Sequence, residues 1–350
     1  MARTTNAWSR SALRKARDHG WKSRARVPSG PCPRCHTHAR ARVGPSTTAA
    51  VHNGDGGGRQ MVDANFPLDL EGRTFHLGAK EGEISNRILS VGDASRAELI
   101  SQQLRPFPDG RPVFNMVSAR GFSVTTGMAG GEEVSIVTTL MGMPNMDFVI
   151  REARAVIRGP MAVVRLGTCG ALQPGTLGKV LVPKDGCMWV YRNPDAFGAE
   201  DAAAGAVDPR PYIRSRPVYP HAALCDGLLA GLERELGPSG YKCGINCTTD
   251  SFYATQGRIT PYFDDRNEEL MASVMAEVPN AVSFEMESFQ LLHLASCSRG
   301  SIAAAACAIG LAERASNEFL TPQQLVDLEK RAGSAALDAL VNFDLGTLNG

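Results

Sequence analysis

Between Ser251 and Arg258 the chain sets two aromatic rings, Phe252 and Tyr253, beside an amide and a guanidinium two residues apart, Gln256 and Arg258. A planar polar base needs a stacking face and in-plane hydrogen-bond partners. Gln offers a donor and an acceptor, Arg donors only, which matches the carbonyl, N–H, carbonyl edge of uracil. An ordinary polar surface loop uses the same residue types. A second segment, Phe284-Glu285-Met286-Glu287-Ser288, puts carboxylates at i and i+2 where a strand passes into a helix. A carboxylate accepting two hydroxyl hydrogen bonds suits a ribose diol. A carboxylate favoured by a helix N-terminus is the plainer alternative, and the spacing alone does not mark a glycosidase dyad.

Arg165 lies near the end of an otherwise apolar strand, Ala162 to Leu166. A buried Arg needs an anionic partner, because an unpaired buried charge is costly. That partner is either an internal carboxylate or a bound phosphate, clamped with Arg96 and Thr168, whose oxygens a planar guanidinium meets in parallel hydrogen bonds. Three glycine-bearing segments sit at strand ends: Gly92-Asp93-Ala94-Ser95-Arg96, Gly142-Met143-Pro144 and Gly167-Thr168-Cys169-Gly170. Each alone reads as a tight turn. Glycine backbone beside a helix N-terminus also holds phosphate.

The elements that must position these residues alternate regularly from about residue 71. Ile88–Gly92 reads as a buried strand, followed by a helix capped by Asp93 or Ser95. Phe122–Thr126 and Glu133–Leu140 read as paired strands around Ala129-Gly130-Gly131. Helices are expected over 145–157, 221–236, 266–277, 287–296 and 322–342, and further strands over 162–166, 179–183 and 302–309. Residues 193–216, rich in Pro, Gly, Asp and Ala, suit a long loop. The class is α/β, with one three-layer αβα domain and a mixed central sheet over residues 61–350.

Residues 1–60 carry twelve Lys/Arg and two Asp/Glu, leaving 25 basic and 34 acidic side chains for the rest. The extension reads as a disordered basic appendage, either a transit peptide or an upstream read-through, joined by a Gly-rich linker at 53–58. The acidic body is not built to hold nucleic acid. No apolar run spans a membrane. Nine scattered Cys suit a reducing compartment, and a cytoplasmic site is expected, with organelle targeting by the extension left open. Cys32-Pro33-Arg34-Cys35-His36 matches a haem-attachment pattern or half a zinc site, but no second Cys pair lies near, so no metal is expected.

Six ordered motifs together resemble the nucleoside phosphorylase superfamily, and within it the uridine phosphorylases. They are Phe75-His76-Leu77-Gly78, Val91 through Arg96, Ser118-Ala119-Arg120-Gly121-Phe122, Arg165 through Gly170, Phe252 through Arg258, and Glu285-Met286-Glu287-Ser288. The stretch Ser316 through Pro322 looks like the protozoan branch. The resemblance implies that Gly92, Arg96, Arg165 and Thr168 bind phosphate, joined by Arg120 from a neighbouring subunit. It implies that His76 crosses the interface to the ribose 5′-hydroxyl, that Met286 and Glu287 hold the ribose, and that Phe252, Gln256 and Arg258 hold uracil. The implied activity is phosphorolysis of uridine to uracil and ribose 1-phosphate in pyrimidine salvage. Inorganic phosphate is the co-substrate, no cofactor is needed, and the assembly is a homodimer or homohexamer. Glu313, standing in Ala312-Glu313-Arg314 where Asn-Arg is usual, is an acid near the base pocket, and purine-specific relatives use such an acid. A purine phosphorylase or a nucleosidase of the same superfamily is therefore the alternative, and a non-catalytic nucleoside-binding protein a further one.

Overall fold

A computed structural model describes Val51–His52, residues 60–197 and residues 208–349. The expectations placed on the rest, the Cys32–His36 motif and the Gly-rich linker among them, lie outside the described residues. In chain order the strands and helices begin with β1 (Val51–His52), β2 (Arg87–Val91), α1 (Ala94–Ser101), β3 (Phe114–Val117), β4 (Ser123–Ala129) and β5 (Glu132–Thr138). Next come α2 (Met143–Val156), β6 (Met161–Ala171), β7 (Val180–Val182), β8 (Cys187–Arg192), β9 (Tyr212–Arg214) and α3 (Ala222–Leu236). The chain closes with β10 (Tyr241–Cys243), β11 (Ile245–Thr249), α4 (Leu270–Glu277), β12 (Ala281–Glu285), α5 (Ser288–Cys297), β13 (Ile302–Glu313), β14 (Glu318–Phe319) and α6 (Pro322–Asn342).

The sheet is mixed. Strands β5, β2, β6 and β13 run parallel side by side. The ends of β6 and β13 pass beyond that block and pair antiparallel with β12 and β7. Side chains alternate along β6: Ala162, Val164 and Leu166 join the core under α1, α3 and α6, while Met161 and Val163 join the core under α2 and α5. Helices on both faces of one mixed sheet make the three layers that the alternation predicts.

Local signals set several boundaries. Asp93 caps α1, its carboxylate accepting the Arg96 amide at 2.9 Å. Thr321 and Gln324 form a capping box at the start of α6. Two expectations need correcting. Gly167-Thr168-Cys169-Gly170 is not a turn but continuous β6, because β13 pairs along it as far as Ala171, with one bulge at Leu311. Arg165 is therefore mid-strand. Residues 193–216 are not all loop either, since Tyr212–Arg214 pairs antiparallel with β8.

Candidate active site

Arg165 has the same parity on β6 as Met161 and Val163, so its side chain leaves toward α2 and α5. Nη1 donates to Thr139 Oγ1 at 3.0 Å and Nη2 donates to the Glu287 carboxylate. Nε has no hydrogen-bond partner, the Glu285 carboxylate lying 3.9 Å away. Arg96 is buried as deeply. Its Nε donates to Glu329 Oε1 at 2.8 Å, Nη2 lies 3.2 Å from Asp93, and Nη1 makes only a long 3.4 Å bond to Leu166 O. A methyl on Gly92 would lie 3.6 Å from Arg96 Nη1 and 3.8 Å from Arg165 Nη2. Two buried guanidiniums thus flank one bare stretch of backbone, a cradle for a small oxyanion. Thr168, half-buried, stands three residues beyond Arg165 and pairs with Ile309.

Gly92 does not adopt the left-handed backbone that disfavours a side chain. Gly92→Ala is therefore expected to fold with an unchanged melting temperature while its methyl crowds the cradle. The KM for phosphate should rise about tenfold, equivalent to ~1.4 kcal/mol. Steady-state kinetics beside a thermal melt checks both halves.

The two carboxylates of Glu285-Met286-Glu287 divide the alternatives between them. Glu285 is the helix-terminal one. Its Oε2 accepts from the backbone N–H of Glu287 and of Ser288, both at 2.9 Å, and from Ser288 Oγ at 3.0 Å. Its Oε1 accepts from Asn246 Nδ2 at 2.7 Å and from Thr248 Oγ1. Glu287 turns the other way, toward Arg165 and the Gly142 N–H that opens α2. Burial pushes the Glu287 carboxyl above its usual range, Arg165 pulls it back and Glu285 adds to the rise. Met286 between them is half-buried. The nearby Cys169 thiol is pushed up by burial and by Glu285, which leaves it protonated and inert as a nucleophile.

The residues expected to read the base form a second cluster, joined to the first through Thr249. Gln256 is 2 % exposed and donates from Nε2 to Thr249 Oγ1 at 2.9 Å, and that hydroxyl donates to Glu285 O at 3.1 Å. Arg258 Nη1 donates to Gln256 Oε1 at 2.5 Å and to Phe252 O at 2.6 Å, and its guanidinium lies 3.7 Å above the Phe252 ring. Arg314 braces the loop from below, donating to Gln256 O at 2.8 Å. Burial, with Arg314 adjacent, lowers the Arg258 pKa to about 10, so it stays charged at neutral pH. A cavity of about 440 Å³ opens beside Arg258, Arg314, Tyr253 and Phe319. Glu313 borders it, but its carboxylate accepts from the backbone N–H of Thr176 at 3.0 Å and of Leu177 at 3.3 Å. Desolvation raises its pKa, but these N–H bonds outweigh that rise for a net lowering, so Glu313 is ionised at neutral pH and holds a loop.

His76 and Arg120 stand apart from both clusters. His76 Nδ1 lies 2.6 Å from Glu152, which also accepts from the Leu77 amide at 2.6 Å, and the ring stacks 3.9 Å over Phe148. Gly142 and Glu152 are ten residues apart along α2, about 15 Å at 1.5 Å per residue. The His76 loop is therefore anchored well down the helix from Glu287. Arg120 is exposed, its guanidinium 4.9 Å over the Phe75 ring. The two residues share one surface through Phe75, whose ring meets His76 edge-on.

A family model described as "Phosphorylase superfamily" matches residues 86–343. The chain belongs to the phosphorylase superfamily. Among its relatives in this superfamily, a uridine phosphorylase of Thermococcus kodakarensis is 30% identical over 266 residues, 74% of this chain and 84% of that protein. A solved structure described as one of two diverse uridine phosphorylases in the oomycete Phytophthora capsici is 38% identical, with a TM-score of 0.76, over 81% of this chain and 100% of that one. A DeoD-type purine nucleoside phosphorylase of Geobacillus kaustophilus is 40% identical over 101 residues, 29% of this chain and 40% of that protein.

Four hydrogen-bond partners of the candidate site residues escape a linear reading: Thr139, Thr249, Glu152 and Glu329. Each lies from seven to 233 positions from the residue it holds. Burial of a charge on an otherwise apolar helix face was the available signal for Glu329, among Leu325, Leu328 and Ala332.

Proposed function

We propose that this chain is a uridine phosphorylase, a pentosyltransferase that moves the ribosyl group of uridine onto inorganic phosphate. The observation that carries the reading is the hydrogen-bonded chain that runs from Arg165 to Glu287, from the Glu287 amide to Glu285, and from the Glu285 carbonyl through Thr249 to Gln256 and Arg258. On this reading the chain ties an oxyanion cradle and a diol-binding carboxylate to a base-reading amide–guanidinium pair.

Phosphate held by Gly92, Arg96, Arg165 and Thr168 is pre-oriented below the anomeric carbon. Glu287 takes the 2′- and 3′-hydroxyls and Met286 lies against the sugar. Phe252 stacks on uracil while Gln256 and Arg258 meet its edge. As the C1′–N1 bond lengthens, its electron pair moves onto uracil, and Arg258 and Gln256 face the growing charge. A phosphate oxygen forms the new C1′–O bond to give ribose 1-phosphate, and the delocalised uracil anion takes a proton from water. His76 and Arg120 serve the neighbouring subunit, which makes the working unit a homodimer or homohexamer. No cofactor is needed. Glu313, ionised and tied to its loop, does not supply the proton that a purine leaving group requires.

Uridine, thymidine and inosine should be compared with and without phosphate. Uracil release that depends on phosphate is the expected result. No uracil release with both substrates present sinks the reading, and inosine turned over faster than uridine would replace it with purine phosphorolysis.

A further inference from the structure

Arg96 is held from behind. Helices α1 and α6 meet through two pairs, each one helical turn apart: Arg96 and Ile100 on α1, Glu329 and Gly333 on α6. A Cβ on Gly333 would lie 2.8 Å from Ile100 Cγ1. Only glycine lets the helices approach closely enough there for Glu329 to bond Arg96 one turn away. Both charged side chains are buried, at 4% and 8% exposure. A buried ion pair contributes little net stability over an apolar pair of similar size, so the pair invites an account other than stability.

We propose that Glu329 is a positioning residue for phosphate: from the closing helix it fixes the Nε edge of Arg96 so that Nη1 stays turned to Gly92 and Arg165. The inference rests on reading that cleft as the phosphate site. Nε is taken by Glu329 and Nη2 by Asp93, which leaves Nη1 with a single long bond to protein. A flexible arginine fixed before its ligand arrives loses less freedom on binding. The cost is an anion behind the guanidinium, so orientation and charge act in opposite directions on phosphate, and orientation prevails.

Glu329→Ala and Glu329→Gln test this. In the alanine variant the KM for phosphate should rise about tenfold or more, while the KM for uridine and the kcat at saturating phosphate stay within about twofold. Glutamine keeps an oxygen facing Arg96 Nε and should bring the phosphate KM back to within about threefold of the parent. An unchanged or lowered phosphate KM in the alanine variant overturns the proposal, as does a uridine KM that rises in step. Should the alanine variant not fold, Glu329→Asp, one methylene short of the bond, takes its place with the same expected direction. The rise in melting temperature produced by inorganic phosphate alone, in parent and variants, reads the same effect without a nucleoside. That measurement judges Glu329 even if uridine proves not to be the substrate.

Discussion

Arg165→Met should lower kcat/KM for uridine phosphorolysis by about 10³-fold, the upper range for losing one preorganised charged donor. Three things fail together. Phosphate loses the guanidinium that faces it from β6. Glu287 loses the cation that opposes its desolvation, and its raised pKa moves higher still. Glu285 loses its nearest cation 3.9 Å away. Methionine fills the space but leaves a buried carboxylate unpaired, which costs about 3–5 kcal/mol of folding stability. Kinetics and denaturant unfolding should therefore both respond. Activity within tenfold of the parent would mean that the buried arginine is an internal ion pair and nothing more.

Gln256→Leu should cut kcat/KM for uridine by about 10²-fold while changing any inosine turnover far less. Two hydrogen bonds to the base at roughly 1–1.5 kcal/mol each give that factor. The amide also organises its neighbours: Oε1 accepts from Arg258 and Nε2 donates to Thr249. Removing it leaves a half-buried guanidinium with one partner fewer, and a site built on hydrogen bonds discriminates through such unpaired groups. The ratio of uridine to inosine turnover in parent and variant is the deciding measurement. An unaltered ratio would take base recognition away from Gln256.

Wherever the determining forces are local, residue order is a good guide. Helix α6 runs from Pro322 to Asn342 as expected, because Thr321 and Gln324 satisfy its first amides and the apolar spacing continues to Leu340. The strand-to-helix steps at Gly92 and at Glu287 follow from the same chemistry. The Gly167–Gly170 segment defeats local reading because its extended form is imposed by β13, about 140 residues away. Strands β8, β10 and β11 are equally silent in sequence, each short and defined by its partner in the sheet. The division of labour between Glu285 and Glu287 is a tertiary fact too: Asn246, Thr248 and Gly142 decide which carboxylate is spent on the helix and which is left to face a ligand.

Helix α2 is fastened at its start and again one turn short of its end to residues proposed to hold the sugar. Its first amide grips Glu287, and ten residues on, Glu152 grips the His76 loop. An α-helix transmits displacement along its axis with little compression, so these anchorages behave as the ends of a strut about 15 Å long. In an assembly where His76 serves the adjoining subunit, a sugar that tugs on Glu287 also nudges a ring in its neighbour's site. Adjacent sites would then be mechanically in series, each one forming part of the wall of the next.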